Sequence, residues 1–207
     1  MKFFTADPHF GHQSIIDTFS KRPFASLEEM HDVIIDGINT KVGRRDNLYI
    51  LGDFALCSAE SAGALRKRIK CKDVHLVFGN HDRKSFGQFF SSARDTALVK
   101  CGDYKCFLSH YPHVFWPSSH HGSFHLYGHC HYMREAWISN LMPERRSMDV
   151  GLDAYFQEHG SFLPYSETEI VEKLLSRPGH VGHHDVEYER SVEENWNSIK
   201  KVETCTK

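Results

Sequence analysis

The sequence lacks the features that define several large protein classes. It has no run of about 18 apolar residues, the length a membrane-spanning helix needs. The first residues, Met1-Lys2-Phe3-Phe4-Thr5-Ala6-Asp7, turn polar too soon for a secretory signal. Its six cysteines (Cys57, Cys71, Cys101, Cys106, Cys130 and Cys205) include no CxxC pair, and without a secretion signal they read as reduced thiols of a cytoplasmic protein. Cys101 and Cys106 flank a turn and could face each other across a hairpin, but a reducing compartment disfavours a disulfide there. There is no excess of charge: 25 Lys and Arg against 27 Asp and Glu leave −2, which excludes attraction to nucleic acid by bulk charge and leaves only a local basic patch open. There is no internal repeat and no low-complexity tract. What the sequence has in excess is histidine, 16 of 207 residues.

Short apolar runs alternate with amphipathic stretches. Strands are expected over residues 2–6, 47–51, 74–78, 97–101, 105–109, 124–127 and 147–152. Ser26 to Asn39 reads as a helix, with Ser26 and Glu29 as a capping box and Leu27, Met30, Ile34 and Ile38 on one face. Ser58 to Lys70 is a second helix, weakened by Gly63, and Ser166 to Ser176 a third, with Ser166 and Glu169 as its box. Strands and helices that alternate early and then give way to a run of strands indicate α/β layering with mixed sheets. Residues 1–177 form one domain in this reading, and 178–207 form a linker and an amphipathic helix that docks on the core or meets a partner, docking being favoured.

The predicted strands repeatedly end in residues able to bind metal. This happens at Asp7-Pro8-His9, Gly52-Asp53, Gly79-Asn80-His81-Asp82, Ser109-His110 and Gly128-His129-Cys130-His131. Strand ends are where ligands gather in α/β sheets, and a glycine before the ligand permits a tight turn. Each cluster alone has a plain explanation as a turn or a surface histidine; five in this order do not. Seven oxygen and nitrogen ligands suffice for two ions that share a bridge.

This ordered set closely resembles the calcineurin-like metallophosphoesterase superfamily, over residues 1 to about 155. The stretch from Phe3 to His12, with Arg22-Pro23-Phe24, also looks like the small phosphoesterases of bacterial and phage genomes. The resemblance implies an α/β fold, a four-layer α/β/β/α sandwich with two mixed β-sheets. It implies that Asp7, His9 and His131 hold one metal, that Asn80, His110 and His129 hold another, and that Asp53 bridges them. His81 would serve the leaving group, and Asp82 would orient His81 by a hydrogen bond. The implied activity is hydrolysis of phosphate esters by a metal-bridging hydroxide. Two cations about 3.5–4 Å apart offset the repulsion between hydroxide and an anionic ester and lower the pKa of the bridging water. Mixed His, Asp and Asn ligands suit Mn, the expected ion, or Fe, Ni, Co or Zn. Activity should fall in acid as ligand histidines protonate. Cys130, between two ligands on an extended segment, would point away from the metals.

For substrate contacts the candidates are Arg83, Arg22 and Lys84, each with a surface residue as the alternative. His12 is either close to the phosphate or a loop histidine, and Trp116 in the 111–123 loop either stacks on a base or covers the sheet. Phe54-Ala55-Leu56 follows Gly52-Asp53, where the serine/threonine phosphatases have a different motif, and Asp82 stands where they have Glu. The reading is therefore a phosphodiesterase on nucleotide-type substrates or nucleic-acid ends, with a phosphomonoesterase as the alternative. A non-catalytic protein-binding scaffold on the same fold is the other alternative, but scaffolds lose ligands and here all seven stand.

Overall fold

The computed structural model describes residues 1–179. The amphipathic helix expected beyond them, with His180, His183, His184 and Cys205, lies outside the described residues. The strands are β1 (Lys2–Thr5), β2 (Asn47–Leu51), β3 (Asp73–Val77), β4 (Ser92–Arg94), β5 (Thr96–Cys101), β6 (Tyr104–Ser109), β7 (Phe124–Tyr127), β8 (Ser147–Asp149) and β9 (Tyr165–Ser166). The helices are α1 (Ser14–Asp17), α2 (Leu27–Lys41), α3 (Ala59–Arg68), α4 (Glu135–Leu141), α5 (Leu152–His159) and α6 (Glu167–Leu175).

Local chemistry accounts for most of the boundaries. Ser26 Oγ accepts from the Glu29 amide at 3.1 Å and starts α2. Glu29 reaches back to the Ala25 amide at 2.6 Å instead of to Ser26, so the expected box closes one residue early. Ser58 caps α3 in the same way, at 3.1 Å from the Ser61 amide, and the helix continues through Gly63. The box of Ser166 and Glu169 is complete at α6. Two further expectations need correction. The strand expected to reach Leu152 stops at Asp149, because Leu152 already begins α5. In the hairpin, Cys101 pairs with Tyr104 and Cys106 with Val99, so the two cysteines are not opposite, and both are free thiols.

The chain is an α/β sandwich of two mixed sheets. One has the order β4-β3-β2-β1-β9, with β1 to β4 parallel and β9 antiparallel; the other has the order β5-β6-β7-β8, with only β5 antiparallel. Side chains alternate across each strand. Phe3, Leu48, Ile50, Val74 and Leu76 face a core closed by Met30, Ile34, Ile35 and Ile38 of α2 and Ala62 of α3. Phe4, Leu51 and Val77 face the other way and meet Cys106, Leu108, Phe124, Leu126 and Met148 of the second sheet. On that sheet's far face, Trp116 packs on His125 at 5.4 Å, and Arg145 lies over Tyr127. No helix among the described residues is long and apolar enough to cross a membrane.

Candidate metal centre

The parallel strands of both sheets end on one side of the sandwich, and the polar residues that follow them converge there. Two hydrogen bonds stitch the sheets together at this end. His110 Nδ1, after β6, lies 2.8 Å from the Leu51 carbonyl of β2. The His129 amide, after β7, donates to Asp7 Oδ2 at 2.9 Å. Close approach requires glycine: a Cβ on Gly52 would lie 2.3 Å from His110 Nδ1, and one on Gly79 would lie 2.2 Å from Asp53 Oδ1.

The convergence is bought with backbone strain. Eight non-glycine residues among those described have positive φ, and five of them are predicted ligands: Asp7, His9, Asp53, His129 and His131. Such conformations each cost about 1–3 kcal/mol and persist where the surroundings enforce them. Residues 129–131 bend instead of extending, with positive φ at His129 and His131, so the alternation expected to turn Cys130 away does not apply. Cys130 nevertheless belongs to none of the ligand groups below.

Three groups have ligand atoms within 4.8 Å of one another: Asp7, His9 and His131; His9, Asp53 and His81; and Asp53, His110 and His129. Asp53 Oδ2 lies between them, 3.5 Å from His9 Nε2, 3.5 Å from His110 Nε2 and 3.9 Å from His81 Nε2. Asn80 Oδ1 lies 3.0 Å from His110 Nε2. All seven predicted ligands are thus brought together. His81, which was not expected to bind metal, also stands within ligand distance.

The donor set fits cations. Asp7 Oδ1 and His9 Nε2 are buried and have no hydrogen-bond partner, and they lie 3.9 Å apart. Two orphaned ligand atoms aimed at one space are a standing penalty that a bound ion removes. The opposite ring nitrogens are fixed. A carbonyl or carboxylate can only accept, so His110 donates Nδ1–H to Leu51, and His131 donates Nδ1–H to Asp153 Oδ2 at 2.6 Å. Each ring therefore keeps Nε2 for a ligand. Burial pushes the Asp7 carboxyl up to about 6 and the His9 imidazole down to about 2. Burial opposes charge at His110 as well, but Asp53 and Asp7 beside it raise its pKa to about 9. For Asp53 burial acts upward and is outweighed by His110 and the His81 amide, leaving about 2. Without a cation the cluster thus keeps a proton at His110, and uptake of a cation would release it.

The roles expected of Asp82, Arg22, Arg83 and Lys84 are corrected, and the alternative left open at Trp116 is decided. Asp82 does not bond His81; it accepts from the Phe54 and Gly79 amides, each at 2.9 Å, and so ties together the loops that carry Asp53 and Asn80. Arg22 is 3% exposed and does not reach the cavity. Its guanidinium grips Asp153 at 2.9 and 2.8 Å and the carbonyls of Asp7 and Pro8 at 2.6 and 3.0 Å. Trp116 is 6% exposed, with Nε1 bonded to Ser123, so it covers the sheet. Arg83 is exposed outside the cavity wall, and Lys84 pairs with Asp95. His12 does adjoin the cluster, with Nδ1 3.0 Å from His9 Nδ1. His125 is fully buried, far from this role, between the Phe107 carbonyl and the His113 amide.

The residue missed from the sequence is Asp153. Burial would raise its carboxyl, but Arg22 and His131 hold it well below the ordinary range, so it is a fixed anion behind His131. Asp149, buried at the end of β8, differs: it accepts from the Tyr132 and Gly151 amides at 2.9 and 2.7 Å, and burial raises its carboxyl to about 7.

The fold and site define an α/β sandwich with a clustered, buried set of metal-ligand side chains at its strand ends. No family model matches the chain. It is 30% identical over 177 residues to the uncharacterized protein MJ1445 of Methanocaldococcus jannaschii, over 84% of this chain and 91% of that protein. The chain belongs to the same family as MJ1445. The crystal structure of the protein of unknown function AQ665 from Aquifex aeolicus superimposes with a TM-score of 0.67 at 23% identity, over 84% of this chain and 98% of that one, a likeness of fold.

Proposed function

We propose that the protein is a binuclear-metal-dependent phosphoesterase, acting as a phosphodiesterase on nucleotide-type substrates or nucleic-acid ends. The observation that carries this reading is the pair of orphaned buried atoms, Asp7 Oδ1 and His9 Nε2, inside a ring of strained ligand residues. The sequence resemblance to calcineurin-like metallophosphoesterases, carried by the same residues, supports it. Asp7, His9 and His131 would hold one cation, Asn80, His110 and His129 the other, and Asp53 both. Two divalent ions, Mn first among Mn, Fe, Ni, Co and Zn, would when bound neutralise the ester's charge and acidify water.

The chain's own groups supply the rest. The His81 ring is half-buried in the cavity wall, where Nε2 can deliver a proton to the departing ester oxygen. Asp82 keeps the Asp53 and Asn80 loops in register. Asp153 and Arg22 hold the His131 ring so that Nε2 faces the cluster. The free thiols of Cys57, Cys71, Cys101, Cys106 and Cys130 suit a reducing cytoplasm. The test is Asp53→Asn, assayed on bis-p-nitrophenyl phosphate with Mn and by elemental analysis. Loss of roughly 10³-fold in turnover together with loss of metal is expected; near wild-type rates would refute the role given to Asp53.

A further inference from the structure

The cavity above the cluster has a volume of about 370 Å³ and two unlike walls. One wall is the cluster itself. The other is Ile15, Phe19 and Met133. Ile15 is buried, but Phe19 and Met133 are 64% and 67% exposed at the cavity mouth. The Phe19 ring stands 6.1 Å from that of His12, tilted by 51°, so an aromatic edge leads from the mouth toward the ligands. No lysine or arginine is among the lining residues of this cavity; Lys84 lines the adjoining one, which also meets Asn80 and His110, and there it is paired with Asp95. Arg22, the nearest buried guanidinium, has its nitrogens turned onto Asp153 and backbone carbonyls.

These walls discriminate between substrates. A phosphomonoester near neutral pH carries a second negative charge, which calls for a further cationic side chain. A diester carries one charge and a second, uncharged arm that must lie somewhere. A rigid ring and a polarisable thioether are suited to a flat aromatic group. The volume falls at the small end of ligand cavities, about 300–1,000 Å³, which matches one nucleoside-sized arm and not a length of polymer.

We infer that Phe19 and Met133 seat an aromatic substituent on the phosphorus, so that the substrate is a phosphodiester with one flat arm of about nucleobase size. The inference rests on the phosphoesterase reading and deepens it. The test uses the full chain loaded with Mn and two monoanionic probes, methyl phenylphosphonate and methyl methylphosphonate, with affinities measured by calorimetry. The phenyl compound should bind about tenfold more tightly, from the apolar area it buries. In Phe19→Ala and in Met133→Ala that ratio should fall toward one. A wild-type ratio of one, or a ratio unchanged in both variants, would overturn the seat. Turnover of bis-p-nitrophenyl phosphate by the same preparation judges the underlying reading separately: a phenyl preference without turnover keeps the seat and refutes the phosphoesterase.

Discussion

The two ends of β1 and β2 differ in how they meet the ordinary demands of folding. Along the strands, Phe3, Leu48 and Ile50 pack against the regular, side-chain-capped helix α2, with apolar groups in contact. A few residues further on, Asp7, His9 and Asp53 are buried polar groups in left-handed conformations, and two of their ligand atoms lack partners. The first region keeps the ordinary rules apart from one unpartnered hydroxyl, Thr5 Oγ1; the second departs from them in backbone, burial and pairing together, and departures of this kind concentrate at functional sites. The contrast predicts that changes at the strand ends alter metal binding and chemistry, whereas changes in the helix layer alter stability alone.

The largest stability effect is expected behind the cluster. Asp153→Asn leaves Arg22 buried opposite a neutral amide, which should destabilise the metal-free protein by about 3–5 kcal/mol in urea unfolding. It should also weaken Mn binding by roughly 10–100-fold, because His131 loses its anchor. Unchanged Mn affinity would remove Asp153 from the site. His81→Gln comes next, with turnover slowed about 10²-fold and metal content retained. Loss of metal in that variant would make His81 a ligand, as its 3.9 Å approach to Asp53 permits. In the helix layer, Ile34→Val should cost about 1 kcal/mol of unfolding free energy and leave Mn affinity unaltered; a shift in affinity would break the contrast between the two regions.

The smallest effect is a pH dependence remote from the site. Burial would raise the Glu169 carboxyl, but Lys41 at 2.8 and 2.9 Å and the Ser166 contacts lower it from 4.5 to about 2. Its pKa is lower folded than unfolded, so the stabilisation is present above about 4.5 and is lost as pH falls toward 2. The side chain is 34% exposed, and screening limits the effect to about 0.5 kcal/mol. Glu169→Gln should therefore lower stability slightly at pH 7 and not at pH 2; an equal loss at both would assign the effect to packing.

What was legible in the sequence follows from range. Each ligand stands within a few residues of a strand end and a turn, so a short motif carries it, and the caps at Ser26, Ser58 and Ser166 are equally local. Asp153 contacts Arg22 across 131 residues and His131 across 22, and no local pattern marks such a contact. The role of Arg22 is hidden for the same reason: an arginine near a phosphate motif suggests an anion contact, and only the fold reveals the carboxylate that occupies it. For Trp116 the sequence leaves stacking and sheet cover equally open, and the sheet face beneath it decides for cover. Asp82 has its partners three and twenty-eight residues away, and both are backbone amides. The short elements α4, α5, β4 and β9 have too few residues for a period to show.

The central claim is best tested by stripping the protein of metal and following hydrolysis of bis-p-nitrophenyl phosphate as Mn is restored. The account predicts no turnover in the stripped protein and recovery that saturates near two ions per chain. Full metal loading with no hydrolysis, in Mn or in any other divalent ion, would contradict it.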